Sequence, residues 1–148
     1  MLYSFADFFY YFFILCHMAK KTIESPVIRQ IGDFVLRDNR CSAHCCRGQE
    51  KGIVVSDKYY LHLDSLLTVP ISKSEARDYG KRMKFPLPTK KQMQLLADNL
   101  ERINMSLIQI GRGDCLLFKD TLETFWTSRE SVKRPPDERR GVVFILPI

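Results

Sequence analysis

The chain has 148 residues, 45% of them hydrophobic and 27% charged, which is typical of one globular domain and argues against extensive disorder. Its five cysteines are odd in number and two are adjacent, so they do not fit the even disulfide framework of a small secreted scaffold. The net charge of +6 favours anionic partners only weakly, since charge excess of this size commonly serves solubility.

Residues 1–17, MLYSFADFFYYFFILCH, form an apolar N-terminal segment whose uninterrupted apolar run covers residues 8–16. The run is much shorter than the roughly 20 residues of a membrane-spanning helix, so no transmembrane helix is predicted. Three interpretations stay open. Translation starts at Met18 and the protein is cytoplasmic; the segment is an export signal or anchor and the protein belongs to the cell envelope; or the segment is an element of the domain. Residues 18–26 are interpreted as a linker and residues 27–148 as a single domain.

Short β-prone stretches alternate with turn signals in the first half of this domain. Strands are predicted over residues 31–36, 52–55 and 59–63, and an extended segment over residues 66–69 runs to Pro70.

Two helices are predicted from capping boxes, in which a residue at the helix start and one three positions later each hydrogen-bond the other's backbone N–H. Ser72 and Glu75 open the first helix, which ends before Pro86. Thr89 and Gln92 open the second, the best amphipathic helix of the chain, with Asn104 as a candidate break. Its apolar residues recur at steps of three and four and are Met93, Leu96, Leu100, Ile103 and Leu107.

The C-terminal third is predicted to contain strands over residues 115–118 and 124–127 and a charged loop over residues 131–140. The final apolar run, residues 141–146, is typical of a strand buried on both faces. We expect this last strand to be central and to lie beside the strand over residues 31–36. Trp126 is expected to be a core anchor, with an exposed stacking platform as the alternative. The elements predict an α+β fold with two helices packed on a twisted, mostly antiparallel sheet.

Six short motifs occur in order across residues 31–130. They are I-G-D-F (31–34), G-I-V-V (52–55), S-K-S-E-A-R-D-Y (72–79), L-P-T-K-K-Q (87–92), I-N-M-S-L (103–107) and F-W-T-S-R-E (125–130). The ordered set resembles a family of bacterial domains of unknown function, found in exported and fimbrial-type proteins of gut anaerobes, with a C-type-lectin-like fold. The resemblance implies that fold. It also implies a non-catalytic binding or structural module of the cell envelope or an appendage, with a surface protein or glycan as its partner.

The chain departs from the family pattern at three places. Phe85-Pro86 replaces the usual Trp-Arg before L-P-T, Gln92 replaces an acidic residue, and Arg129 replaces a threonine.

No catalytic motif is present: the chain has no G-x-S-x-G, no glycine-rich phosphate loop and no H-E-x-x-H, so an enzyme is not expected. The cysteines are expected to be unpaired thiols: Cys16, Cys41, Cys45, Cys46 and Cys115.

Metal sites are weighed and not expected. Zinc would need Cys41 and Cys45 to be joined by Cys115 and by His44 or His62. Calcium would need Asp114, Asp120 and Glu123 as ligands, but the loop that holds them offers no supporting amide oxygens. Neither a metal nor a cofactor is therefore predicted.

Basic residues suggest an alternative function. Lys90 and Lys91 stand in the first turn of a predicted helix, where positive charge opposes the helix dipole by a few tenths of a kcal/mol each. The alternative is an intracellular module that holds nucleic acid or another polyanion on a basic face, against the simpler interpretation of a solvated surface. The candidate contacts are Lys81, Arg82, Lys84, Lys90, Lys91, Arg134, Arg139 and Arg140.

Overall fold

Five short antiparallel strands form the main sheet of the computed structural model, which describes residues 29–119, 121–128 and 137–148. Two further strands form a separate antiparallel ribbon. The strands are β1 (Phe34–Leu36), β2 (Cys41–Ser42), β3 (Glu50–Val54), β4 (Tyr59–His62), β5 (Leu67–Ile71), β6 (Arg140–Val142) and β7 (Ile145–Pro147). The order in the sheet is β2–β1–β3–β4–β7, and the ribbon pairs β5 with β6.

Both faces of the main sheet are covered, because residues of its strands are buried in two separate core clusters. Successive side chains point to opposite faces, so Phe34 and Leu36 join one core cluster while Val35 joins the other. Ile53 and Val54 divide between the two clusters in the same way. The sheet is therefore the central layer of the domain.

Three helices within the described residues cover these faces: α1 (Lys73–Met83), α2 (Lys90–Asp98) and α3 (Leu100–Gln109). Both predicted capping boxes are confirmed, with Ser72 at the start of α1 and Thr89 at the start of α2. The helix α1 ends as predicted before Pro86, at Lys84 in the left-handed conformation. Helices α2 and α3 supply residues to the cluster on one face of the sheet, and α1 supplies Ala76 to the other.

The predicted long amphipathic helix is interrupted at Asn99, and the expectation that Asn104 breaks it is wrong. The side chain of Asn99 donates to the carbonyl of Leu95 at 2.9 Å, which gives the backbone an alternative partner and ends α2. Asn104 instead lies inside α3, and its amide pairs with both backbone groups of Leu117, at 2.8 and 2.6 Å. The described part of the domain therefore has three α-helices where two were predicted.

The prediction of a central last strand is wrong. Residues 141–146 do not form one strand, because β6 pairs with β5 in the ribbon and β7 pairs with β4 at an edge of the described sheet. Between them Val143 packs into one core cluster and Phe144 into the other. The strands β3 and β4 separate β7 from β1.

The prediction of strands over residues 115–118 and 124–127 is also wrong. Short 3₁₀ turns at Gly113–Cys115 and Thr121–Thr124 take their place, and Phe125 makes a single parallel bridge to Gly141. The expected role of Trp126 is confirmed, because only 1% of its surface is exposed. The α+β class is confirmed as well.

No helix in the described parts of the chain is long and apolar enough to cross a bilayer.

Candidate functional site

An open groove of ≈ 580 Å³ lies between α1 and β5. A volume of this size falls in the range of small-ligand sites, about 300–1,000 Å³. Apolar side chains of β5 line it together with one tyrosine and three charged side chains of α1: Leu67, Ile71, Glu75, Asp78, Tyr79 and Arg82.

The spacing of the α1 residues explains how they reach the groove. Asp78 and Tyr79 lie three and four residues after Glu75, and Arg82 lies four and three residues after them, which places all four on one face of the helix. On the β5 side, Leu67 and Ile71 both line the groove, and both pack against the same core cluster. The groove thus has an apolar wall and a charged wall.

Tyr79 is fixed in position by three neighbours. Its hydroxyl donates to the carbonyl of Ser65 at 3.0 Å, and its ring centre lies 5.6 Å from that of Phe144. The guanidinium carbon of Arg82 lies 5.6 Å from the Tyr79 ring centre, within cation–π range. These contacts fix the position of the Tyr79 ring in the groove wall.

The charges around the groove are mixed. Hydrogen bonding from Ser72 lowers the pKa of Glu75, and the positive charge of Arg139 acts in the same direction. With Asp78 the groove carries two carboxylates and one guanidinium, so a ligand meets both signs of charge.

The structure places the predicted basic residues on more than one kind of surface. Arg82 shares the groove with Glu75 and Asp78, because the helix brings these acids to its face although the span from residue 81 to 91 contains none. Arg134 lies outside the described residues. The exposed members of the set are Lys81, Arg82, Lys84, Lys90, Lys91 and Arg139.

Arg140 does not fit a surface role, since only 6% of the residue is exposed. Its guanidinium makes an ion pair with Glu138 at 2.9 Å, donates to the carbonyl of Phe125 at 3.4 Å and lies 5.3 Å from the ring centre of Trp126. These contacts correct its assignment as a polyanion contact. It is a buried structural arginine.

The candidate zinc ligands differ in their exposure, and Asp120, one of the candidate calcium ligands, lies outside the described residues. Cys41 and Cys46 are half-buried, Cys45 is exposed and Cys115 is buried in the core. Among the described residues, no group of three or more His, Cys, Asp or Glu is arranged to hold a metal ion.

Sequence reasoning missed a polar pair made by half-buried His62 and buried Ser65, whose backbone carbonyl accepts from Tyr79. The Nδ1 atom of His62 lies 2.6 Å from Oγ of Ser65 and accepts from the Ser65 backbone N–H at 3.3 Å. Both partners of Nδ1 are donors, so the neutral ring carries its proton on Nε2. Ser65 is fully buried, and the pair therefore fixes the turn between β4 and β5. A histidine three residues before a serine was the available sequence signal.

The stability of the domain should fall as the pH drops from 7.5 to 5.5. Burial lowers the pKa of His62 from its ordinary value of 6.5; Asp64 opposes this shift, while Lys51 and Arg37 add to it. As the pH falls, His62 therefore takes up its proton in the unfolded chain before it does so in the folded one. The stability contributed by the neutral form of His62 is complete above about pH 6.5 and is lost below it. Urea unfolding at several pH values measures the slope.

His62→Gln should flatten this slope, while His44→Gln, at an exposed histidine, should leave it unchanged. An identical slope in the wild type and in His62→Gln would contradict the assignment.

Compared with protein-family models, with curated proteins and with solved structures, the chain matches none of them.

Proposed function

We propose that this protein is a non-catalytic binding module of the cell envelope or an appendage, that its fold is C-type-lectin-like, and that it holds a surface protein or glycan in the groove between α1 and β5. The observation that carries the proposal is the groove itself, concave and ≈ 580 Å³ in volume, with apolar and charged walls. Sites of this kind bind by apolar contact and use a few placed polar groups for orientation.

The lining residues supply both kinds of interaction. Leu67 and Ile71 offer an apolar surface to a methyl-bearing or ring-shaped group. Glu75 and Asp78 accept hydrogen bonds from hydroxyl, amide or ammonium donors, and Arg82 donates to carbonyl or carboxylate oxygens. A glycan or a short peptide segment presents such groups side by side.

The fold part of the proposal is supported by the order of the motifs. The two capping-box helices occur where the resembled pattern has them, over residues 72–79 and from residue 87 onwards. The motif over residues 103–107 lies within α3. An experimental structure that aligns with no C-type-lectin-like domain would remove this part and leave the groove to be tested separately.

Charge reversal in the groove should abolish binding without unfolding the domain. The full chain is applied to glycan and peptide arrays, and each hit is titrated against the wild type, Arg82→Glu and Asp78→Lys. Both positions are exposed, so we expect stability changes within about 0.5 kcal/mol. Affinity should fall at least tenfold, which corresponds to about 1.4 kcal/mol.

Lys58→Glu is the matched control, because Lys58 is exposed in the turn between β3 and β4 and does not line the groove. Hits that tolerate both groove variants, or the absence of hits, would count against the proposal.

A second candidate, binding of nucleic acid or another polyanion inside the cell, is favoured by four exposed lysines close together in the chain. They are Lys81, Lys84, Lys90 and Lys91, and the first turn of α2 contains no acidic residue. The surface is smaller than the sequence suggested, because Arg82 faces acids and Arg140 is buried.

A salt titration with single- and double-stranded DNA separates the two candidates. If the four lysines each neutralise a phosphate, log Kd should change with log salt by a slope of roughly 3.6, and binding should weaken on the order of 100-fold from 50 to 200 mM salt. Replacing Lys81, Lys84, Lys90 and Lys91 together by glutamate should remove it. No binding at low salt would exclude the polyanion candidate.

A further inference from the structure

Large exposed hydrophobic residues gather on one side of α3. Met105 and Ile108 are 56% and 59% exposed, and their spacing of three places them on one face of the helix. Phe118 is 61% exposed and follows Leu117, whose two backbone groups pair with Asn104, four residues before Ile108 on α3. We name these three residues the α3 patch.

The beginning of the described chain lies against the same helix. Ser106 of α3 donates its hydroxyl hydrogen to the carbonyl of Gly32. A Cβ on Gly32 would lie 3.3 Å from Oγ of Ser106 and 3.4 Å from the Arg102 carbonyl, and its φ of +93° suits glycine. The turn from residue 30 to 33 therefore sits on the ridge formed by Arg102 and Ser106.

The α3 patch is the next surface around the helix from this turn. Successive residues are about 100° apart around the helix axis. Met105 therefore lies beside the ridge that Gly32 contacts, and Ile108 is the next of these residues around the helix. The described chain starts at residue 29, three residues before that contact. The preceding residues are therefore joined to the domain beside α3.

We propose that the apolar run over residues 8–16 docks on the α3 patch of its own chain. The run is F-F-Y-Y-F-F-I-L-C, nine residues without a charge, and leaving such a run in water is unfavourable. The sixteen residues from Cys16 to Gly32 span at most about 50 Å when extended, whereas a ten-residue helix such as α3 is about 15 Å long. The tether is therefore long enough to reach every part of the patch.

The docking site lies on the face of the sheet opposite to the groove. Helices α2 and α3 cover one face, and α1 with Trp126 covers the other. Docking of the run therefore leaves the groove between α1 and β5 open, and the inference does not depend on the proposed function.

A cross-linking experiment on the full chain tests the proposal, because Cys16 ends the apolar run. A short bis-maleimide is applied to the Met105→Cys variant and, as the matched control, to Asp78→Cys on α1. Peptide mapping should find the link from Cys16 to position 105 at least ten times more often than the link to position 78. The yield should not depend on protein concentration. Equal links to both positions would overturn the proposal.

Chymotrypsin cleavage gives a second measurement that does not require an engineered thiol. The run is rich in Phe and Tyr, so docking protects it, and Ile108→Glu with Phe118→Glu should speed its cleavage at least tenfold. Lys58→Glu should not. Links between two molecules would instead make a second copy the occupant. A loss of binding to anionic lipid vesicles at unchanged cleavage would make a lipid surface the occupant, and either result would overturn the proposal.

Discussion

Replacing Leu96 by aspartate should lower the free energy of unfolding by at least about 4 kcal/mol. Leu96 is 0% exposed and lies in the core cluster between α2, α3 and the sheet. Truncation of a buried leucine alone costs about 2–5 kcal/mol, and an unpaired buried carboxylate adds a desolvation cost. Urea unfolding followed by circular dichroism measures the loss. The deficit should shrink toward pH 4, because the protonated carboxyl is cheaper to bury.

Two variants on the same helix serve as controls for Leu96→Asp. Leu96→Met conserves volume and should cost less than about 1.5 kcal/mol. Lys91→Asp places an acid on the exposed first turn of α2, where it favours the helix dipole, and should leave stability nearly unchanged. A Leu96→Asp protein within about 1 kcal/mol of the wild type would show that this face of α2 is not part of the core.

The helices were predictable because their signals are local. A capping box needs only two side chains three positions apart, and both boxes form as predicted, at Ser72 and Thr89. The choice between Asn99 and Asn104 as the helix break was not local. Asn104 finds its partners in the backbone of Leu117, thirteen residues away, and so remains helical.

The C-terminal part was not predictable from pattern, since a run of apolar residues does not reveal which strand pairs with which. Residues 141–146 are buried as expected, but the run is divided between two sheets. Its first part, in β6, pairs in the ribbon, and its last part, in β7, pairs at the edge of the main sheet. Register and partner come from long-range contacts, and apolar periodicity does not encode them.

The candidate site shows the same division. The sequence marks Glu75 as a capping residue, but only the fold sets it beside Leu67 and Ile71 across a groove. Likewise, the sequence alone places Arg140 in the same basic set as the surface lysines, although in the structure Arg140 is buried and paired with Glu138. Residue type indicates what a side chain can do, and burial decides whether a ligand can reach it.

Replacing Trp126 by alanine should cost about 3–5 kcal/mol of stability, the range for removing a large aromatic side chain from a core. The indole fills the cluster between the sheet and α1, and its Nε1–H donates to the carbonyl of Ile71 at 2.9 Å. The buried guanidinium of Arg140 lies over the ring and adds a cation–π contact of about 0.5–2 kcal/mol. Since this is the only tryptophan, unfolding has to be followed by circular dichroism.

Trp126→Phe separates packing from hydrogen bonding, because it keeps most of the ring volume but removes the donor to Ile71. We expect it to lose less than Trp126→Ala, with about 1–3 kcal/mol coming from the unmatched carbonyl. Val69→Ala, on an exposed residue of β5, is the control and should change stability by less than about 0.5 kcal/mol. Because Ile71 also lines the groove, both Trp126 variants should lower the affinity of the groove for any ligand that it holds. Equal losses in Trp126→Phe and Trp126→Ala would mean that the hydrogen bond to β5, and not the volume of the ring, gives this tryptophan its stabilising effect.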